Sequence, residues 1–129
     1  MFRGVFARDK SPQRLGRPAA LVWNLDTSKN PGLHWAAVYI DPRGRGYGFD
    51  SYGMPPLYIK FQNFLNRKCV WWNFYRATLQ APFCSMCGQY CVYFLFCMCR
   101  GEPMPVILSR FSRDVYENHR AVAQFAYFR

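Results

Sequence analysis

The sequence predicts a single α+β domain spanning residues 1–129. Two apolar, β-prone runs, Ala20–Asn24 and His34–Ile40, read as strands. Between positions 57 and 65, Leu57, Phe61, Phe64 and Leu65 recur at i, i+4, i+7 and i+8, which is one face of a helix. The most apolar stretch, Tyr90 to Met98, lies inside a longer helical run from Met86 to Arg100. A small sheet packed against that central helix is the arrangement these patterns imply.

Each element has its own local reason. Residues 1–19 are basic and carry Gly4, Pro12, Gly16 and Pro18, so they read as an irregular lead-in. Ala20–Asn24 is the first strand. Asp26 to Gly32 clusters Asp, Ser, Asn, Pro and Gly and reads as a turn. His34–Ile40 is a buried strand. Asp41 to Gly46 is a second turn, and Tyr47–Tyr52 is the returning strand of a hairpin. Pro55 and Pro56 suit the start of a helix. Cys69–Tyr75 is another strand, and Gln80–Ser85, with Pro82, is a loop.

Met86–Arg100 is apolar nearly all round, which predicts a helix buried on every side. Gly101 and Pro103 stop it. Two short helices fill the tail. In the second, Asn118 is the expected cap, with Val122, Phe125 and Ala126 facing inward and His119 on the surface. There is no internal repeat and no linker to a second domain.

Composition narrows the function. The chain is 51% hydrophobic, enough for a packed core. Its net charge of +10, from 17 Lys and Arg against 7 Asp and Glu, predicts attraction to phosphate or to an acidic partner. The first residues lack the apolar segment and small-residue cleavage site of an export signal. Tyr90–Met98 is too short for a bilayer, which needs about 20 residues. A soluble intracellular protein is expected.

Five of the six cysteines lie between Cys84 and Cys99, in or beside one helix, so mostly reduced thiols are expected rather than a disulfide framework. Cys84-x2-Cys87 has zinc-ligand spacing, but Cys97-x-Cys99 does not, which disfavours a zinc module. Cys84, Cys91, Cys97 and Cys99 then read as packing residues.

The remaining cysteine of that cluster carries chemistry. Cys87-Gly88 opens the central helix, where about half a positive charge favours thiolate over thiol. His34, at the start of a strand, can serve as its base. Asp50, at the end of the paired strand, can orient the imidazole. Gln80, seven positions before Cys87, can join the Cys87 backbone N–H in stabilising an oxyanion. Each residue also has a purely structural reading: His34 as a packed histidine, Asp50 as a turn cap, Gln80 as the partner of a buried backbone group.

The order of these motifs resembles the adenovirus-type cysteine protease family (adenain), and within it the versions carried by Maverick/Polinton transposons and related DNA viruses. The resemblance rests on Phe2-Arg3-Gly4-Val5-Phe6-Ala7-Arg8-Asp9, Pro31-Gly32-Leu33-His34-Trp35, Phe49-Asp50-Ser51-Tyr52-Gly53, and Leu79-Gln80 through Cys87-Gly88-Gln89-Tyr90-Cys91. It implies a papain-like fold, akin to the ubiquitin-like-modifier proteases, with the nucleophile on the central helix. Cys87 is then the nucleophile, His34 the general base, Asp50 the third member and Gln80 the oxyanion donor.

The resemblance also implies cleavage of viral or transposon precursor proteins, commonly after glycine, by a monomer in the host nucleus or virion. Adenoviral relatives are stimulated by DNA and by a peptide disulfide-linked to a cysteine. Cys69, 18 positions before Cys87, has the spacing of that cysteine. The neighbouring Trp71-Trp72-Asn73 favours the transposon type, which implies no such peptide. The chain begins at the early motif, so the family's usual N-terminal helix is expected to be missing or very short. Two alternatives share the fold: a ubiquitin-like-modifier protease, and an inactive basic domain that binds nucleic acid or a protein partner.

Overall fold

The computed structural model describes residues 2–7, 15–24, 35–51, 59–75 and 87–128. Five strands form one sheet: β1 (Phe2–Ala7), β2 (Ala19–Asn24), β3 (Trp35–Ile40), β4 (Arg45–Phe49) and β5 (Trp71–Tyr75). They lie side by side in chain order, with β2–β3 and β3–β4 antiparallel and the two outer pairs parallel. Four helices complete the described chain: α1 (Ile59–Lys68), α2 (Cys87–Cys99), α3 (Met104–Ser109) and α4 (Val115–Phe128). The expected α+β class is the one found.

Strand periodicity sorts the core into two layers. Ala20, Val22, Ala37 and Phe49 share a core with α2, against which α3 and α4 pack. Leu21, Trp23, Ala36, Val38 and Ile40 face α1. Helix α1 seats Phe61 and Phe64 against the Trp23 indole, with ring centroids 4.7 and 5.0 Å away. On the other face, Phe49 stacks on Phe94 of α2, 4.7 Å apart and 7° from parallel. Such a pair adds about 0.5–1.5 kcal/mol to what burial contributes. It ties the end of β4 to the middle of α2.

The hairpin turn is held by Asp41. Its carboxylate accepts the backbone N–H groups of Arg43 and Arg45 at 2.9 and 2.8 Å and pairs with the Arg45 guanidinium. Burial pushes the Asp41 pKa up, but these hydrogen bonds outweigh it and hold the carboxyl below its ordinary value. Gly101, at φ +81°, ends α2 as the sequence suggests.

Several expectations are corrected. The supposed lead-in contains strand β1, which pairs with β2 and shows an irregular register between Phe2 and Gly4. The return strand runs Arg45–Phe49, and Asp50 and Ser51 follow it. Helix α2 is not buried on every side: Gln89, Val92, Phe96 and Cys99 form an exposed strip. Cys99 is therefore a surface thiol, whereas Cys91 and Cys97 are buried. Helix α4 is capped by Asp114, which accepts the N–H groups of Tyr116 and Glu117. Asn118 instead lies inside its first turn, buried, and exchanges two hydrogen bonds with the Ser112 backbone. Val122 faces inward as expected and His119 is exposed. The Asp26–Gly32 turn, Leu57, the Gln80–Ser85 loop and the side chains of Phe125 and Ala126 lie outside the described residues.

Candidate active site

One end of the sheet carries Asp50 and the start of the helix that opens at Cys87. The Cys91 thiol donates to the Trp35 carbonyl at 3.5 Å, which puts the first turns of α2 beside the start of β3. At the far end of the same strand, Tyr39 lies close enough to the Cys99 thiol to interact electrostatically with it. Eight residues of helix and four of strand both cover about 12–13 Å. Helix α2 and strand β3 therefore run side by side in the same direction, and their N-termini share one end of the molecule. Cys87, one turn before Cys91, starts α2 at that end.

Strand β4 runs opposite to β3, so its C-terminus reaches the same end. Phe49 pairs with Ala37, and Asp50 is the next residue. Asp50 and the following Ser51 are both fully buried. A carboxylate with no exposed surface needs partners in the fold, since burying an unpaired charge is very costly. Asp50 has such interactions.

His34 and Gln80 lie outside the described residues, as do Cys84 and the side chain of Cys87. The described chain stops at Asn24 and resumes at Trp35, and these two residues face each other across the β2–β3 pair. On the other side of Gln80, β5 ends at Tyr75 opposite Phe49, and α2 begins at Cys87. All four of these chain ends sit at the end of the sheet that carries Asp50. Trp35 itself is half-buried, and its indole N–H has no acceptor among the described residues.

Cys69 lies at the opposite end. It is 8% exposed and packs over Gly46, where an added Cβ would come within 2.6 Å of its sulfur. Burial pushes its thiol up to about 11. That environment disfavours the thiolate needed for disulfide exchange. Among the described residues no group of His, Cys, Asp and Glu could hold a metal ion, and no helix is long and apolar enough to cross a membrane.

Sequence reasoning treated Cys91 as packing alone and missed its bond to the Trp35 carbonyl. Its position four residues after Cys87, on the same face of α2, was the available signal. The buried Ser51 was read only as part of a motif.

The fold is thus an α+β sheet covered on both faces, with the helix that starts at Cys87 packed along the central strand. Comparison with known proteins points to the same class. No family model matches the chain. It is 34% identical over 100 residues to a protein of Acanthamoeba polyphaga mimivirus named "Putative thiol protease", covering 70% of this chain and 33% of that protein. The chain thus spans about a third of the length of this curated relative. Among solved structures, the ASFV (African swine fever virus) protease is similar at a TM-score of 0.57 and 21% identity, over 81% of this chain and 42% of that one. That likeness shows a shared fold.

Proposed function

We propose that this chain is a cysteine endopeptidase of the viral maturation type, related to adenain and to the Maverick/Polinton enzymes, and that Cys87 is its nucleophile. The observation that carries the reading is the parallel pairing of α2 with β3. It sets the start of the Cys87 helix, the strand that follows His34, and the buried Asp50 at one end of the sheet. The likeness to a viral thiol protease supports the same chemistry.

In this reading His34 takes the Cys87 proton, and the thiolate attacks the carbonyl carbon of the scissile peptide bond. The Cys87 backbone N–H and the Gln80 amide hold the oxyanion. His34 then protonates the leaving amine, and water hydrolyses the thioester and frees Cys87. Asp50 keeps the imidazole in the tautomer and orientation that this requires. The substrates are precursor proteins, cut commonly after glycine.

The basic surface adds a DNA partner. Arg17, Arg43, Lys60, Arg67, Arg113 and Arg120 are all exposed. Binding to DNA should weaken steeply with salt.

The test is cleavage of a precursor polypeptide by the wild-type chain and by Cys87→Ala and His34→Ala. Both variants should keep the fold and lose activity by about 10⁴-fold or more. Near-normal cleavage by Cys87→Ala overturns the reading.

A further inference from the structure

We propose that Cys91 is a positioning residue: through its bond to the Trp35 carbonyl it sets how far α2 sits along β3, and thereby the distance from Cys87 to His34. The proposal rests on the roles given above to those two residues.

Cys91 is fully buried and its sulfur lies 3.5 Å from the Trp35 oxygen. It is one helical turn, about 6 Å, from Cys87 on the same face of α2. Trp35 is the residue after His34. The contact therefore joins a point one turn from the nucleophile to a point one residue from the base. Around it, α2 meets the sheet through Ala37, Phe49, Phe94 and Leu95. That close packing, with the Phe49–Phe94 stack at its centre, holds the middle of α2 against the sheet, and the Cys91 contact acts nearer the start of the helix. A thiol–carbonyl bond is a weak one, but it is directional and it joins the first turns of α2 to the start of β3. The stakes are geometric: a displacement of about 1 Å at a reacting pair can lower a rate by about 100-fold.

A residue that merely fills space should be replaceable by anything of similar size, whereas a positioning donor should not. Cys91→Ala and Cys91→Ser are both small, and only serine keeps a donor for the Trp35 carbonyl. The readout is the rate at which iodoacetamide modifies Cys87 as a function of pH, followed by peptide mapping, with melting temperatures measured in parallel. The wild-type chain should react at pH 6, where only a thiolate paired with imidazolium is available, and His34→Ala should not. Cys91→Ala should lose about tenfold of the pH 6 rate, and Cys91→Ser, which keeps a donor on a shorter bond, should lose measurably less. In a cleavage assay the same loss should fall on kcat and leave KM unchanged. Should Cys91→Ala fail to fold, Cys91→Val, which fills the site without a donor, replaces it.

A wild-type pH profile in the donor-less variant overturns the proposal. So does an equal loss in the alanine and serine variants that tracks their melting temperatures. A different failure is also readable: if wild type and His34→Ala share the profile of an ordinary thiol, the assignment of Cys87 and His34 falls, and the positioning role with it.

Discussion

Gly48→Ala should destabilise the chain although alanine is the better residue for an extended backbone. Gly48 lies in β4, two residues before Asp50, on the face opposite the Phe49–Phe94 stack. An added Cβ would come within 2.9 Å of Cγ of Phe74 and nearer still to the ring edge at Cδ2 and Cε2. The ring has little room to retreat, being 7% exposed and held edge-on by Phe61 at 6.0 Å. Overpacking of this kind costs about 1–3 kcal/mol, while the lower chain entropy of alanine returns about 0.5–1 kcal/mol. The overlap with a pinned ring puts the cost near the top of its range, leaving a net loss of about 2 kcal/mol. For a chain of this size that corresponds to about 6–10 °C in melting temperature. Thermal melts of Gly48→Ala, Phe74→Leu and the double variant measure it as a cycle. In the Phe74→Leu background, where the flexible side chain can swing away, Gly48→Ala should cost less than half as much. An unchanged or raised melting temperature for Gly48→Ala, or the same cost in both backgrounds, would refute this account of how β4 is seated.

Three further outcomes follow from the same geometry. Asp114→Ala removes the cap of α4 and should cost about 1 kcal/mol in a thermal melt, whereas Asp114→Ser should recover most of it. Asp41 has its pKa lowered in the fold, so its contribution is present at neutral pH and is lost as pH falls through the lowered value. The melting temperature should therefore drop below about pH 4, and Asp41→Asn should flatten that acid limb. Cys69, with its thiol pushed up to about 11 by burial, should be alkylated at pH 8 only as fast as the chain unfolds; labelling at the rate of a free thiol would contradict its packing over Gly46.

Much of the architecture was readable because its signals are local. The β2–β3–β4 hairpins announce themselves through apolar runs broken by Asp, Pro and Gly, and α1 through the spacing of Phe61, Phe64 and Leu65. Strand β1 was not readable in this way. Its short, basic, glycine-containing sequence becomes a strand by pairing with β2, a contact made across an eleven-residue gap in the chain. Helix α2 misled because a nearly uniform apolar sequence carries no amphipathic phase. Only packing decides that Val92 and Phe96 face outward. At α4, Asp114 and Asn118 are both good capping residues, and four positions of helix start separate the two choices. The candidate site has the same division. Residue types and motif order name Cys87, His34, Asp50 and Gln80. That α2 runs parallel to β3, so that Cys87 and Asp50 share an end of the sheet, is a property of three-dimensional packing and has no local signature.

The central claim is that Cys87 is an activated thiolate, and competition among the six thiols tests it most directly. The folded chain is treated with substoichiometric iodoacetamide at pH 6 and the label is mapped by mass spectrometry. Cys99, exposed at the far end of the same helix, is the internal control for accessibility. Cys87 should take most of the label, ahead of Cys99 and far ahead of the buried Cys69, Cys91 and Cys97. Labelling of Cys99 before Cys87, or of both at the same rate, would contradict it.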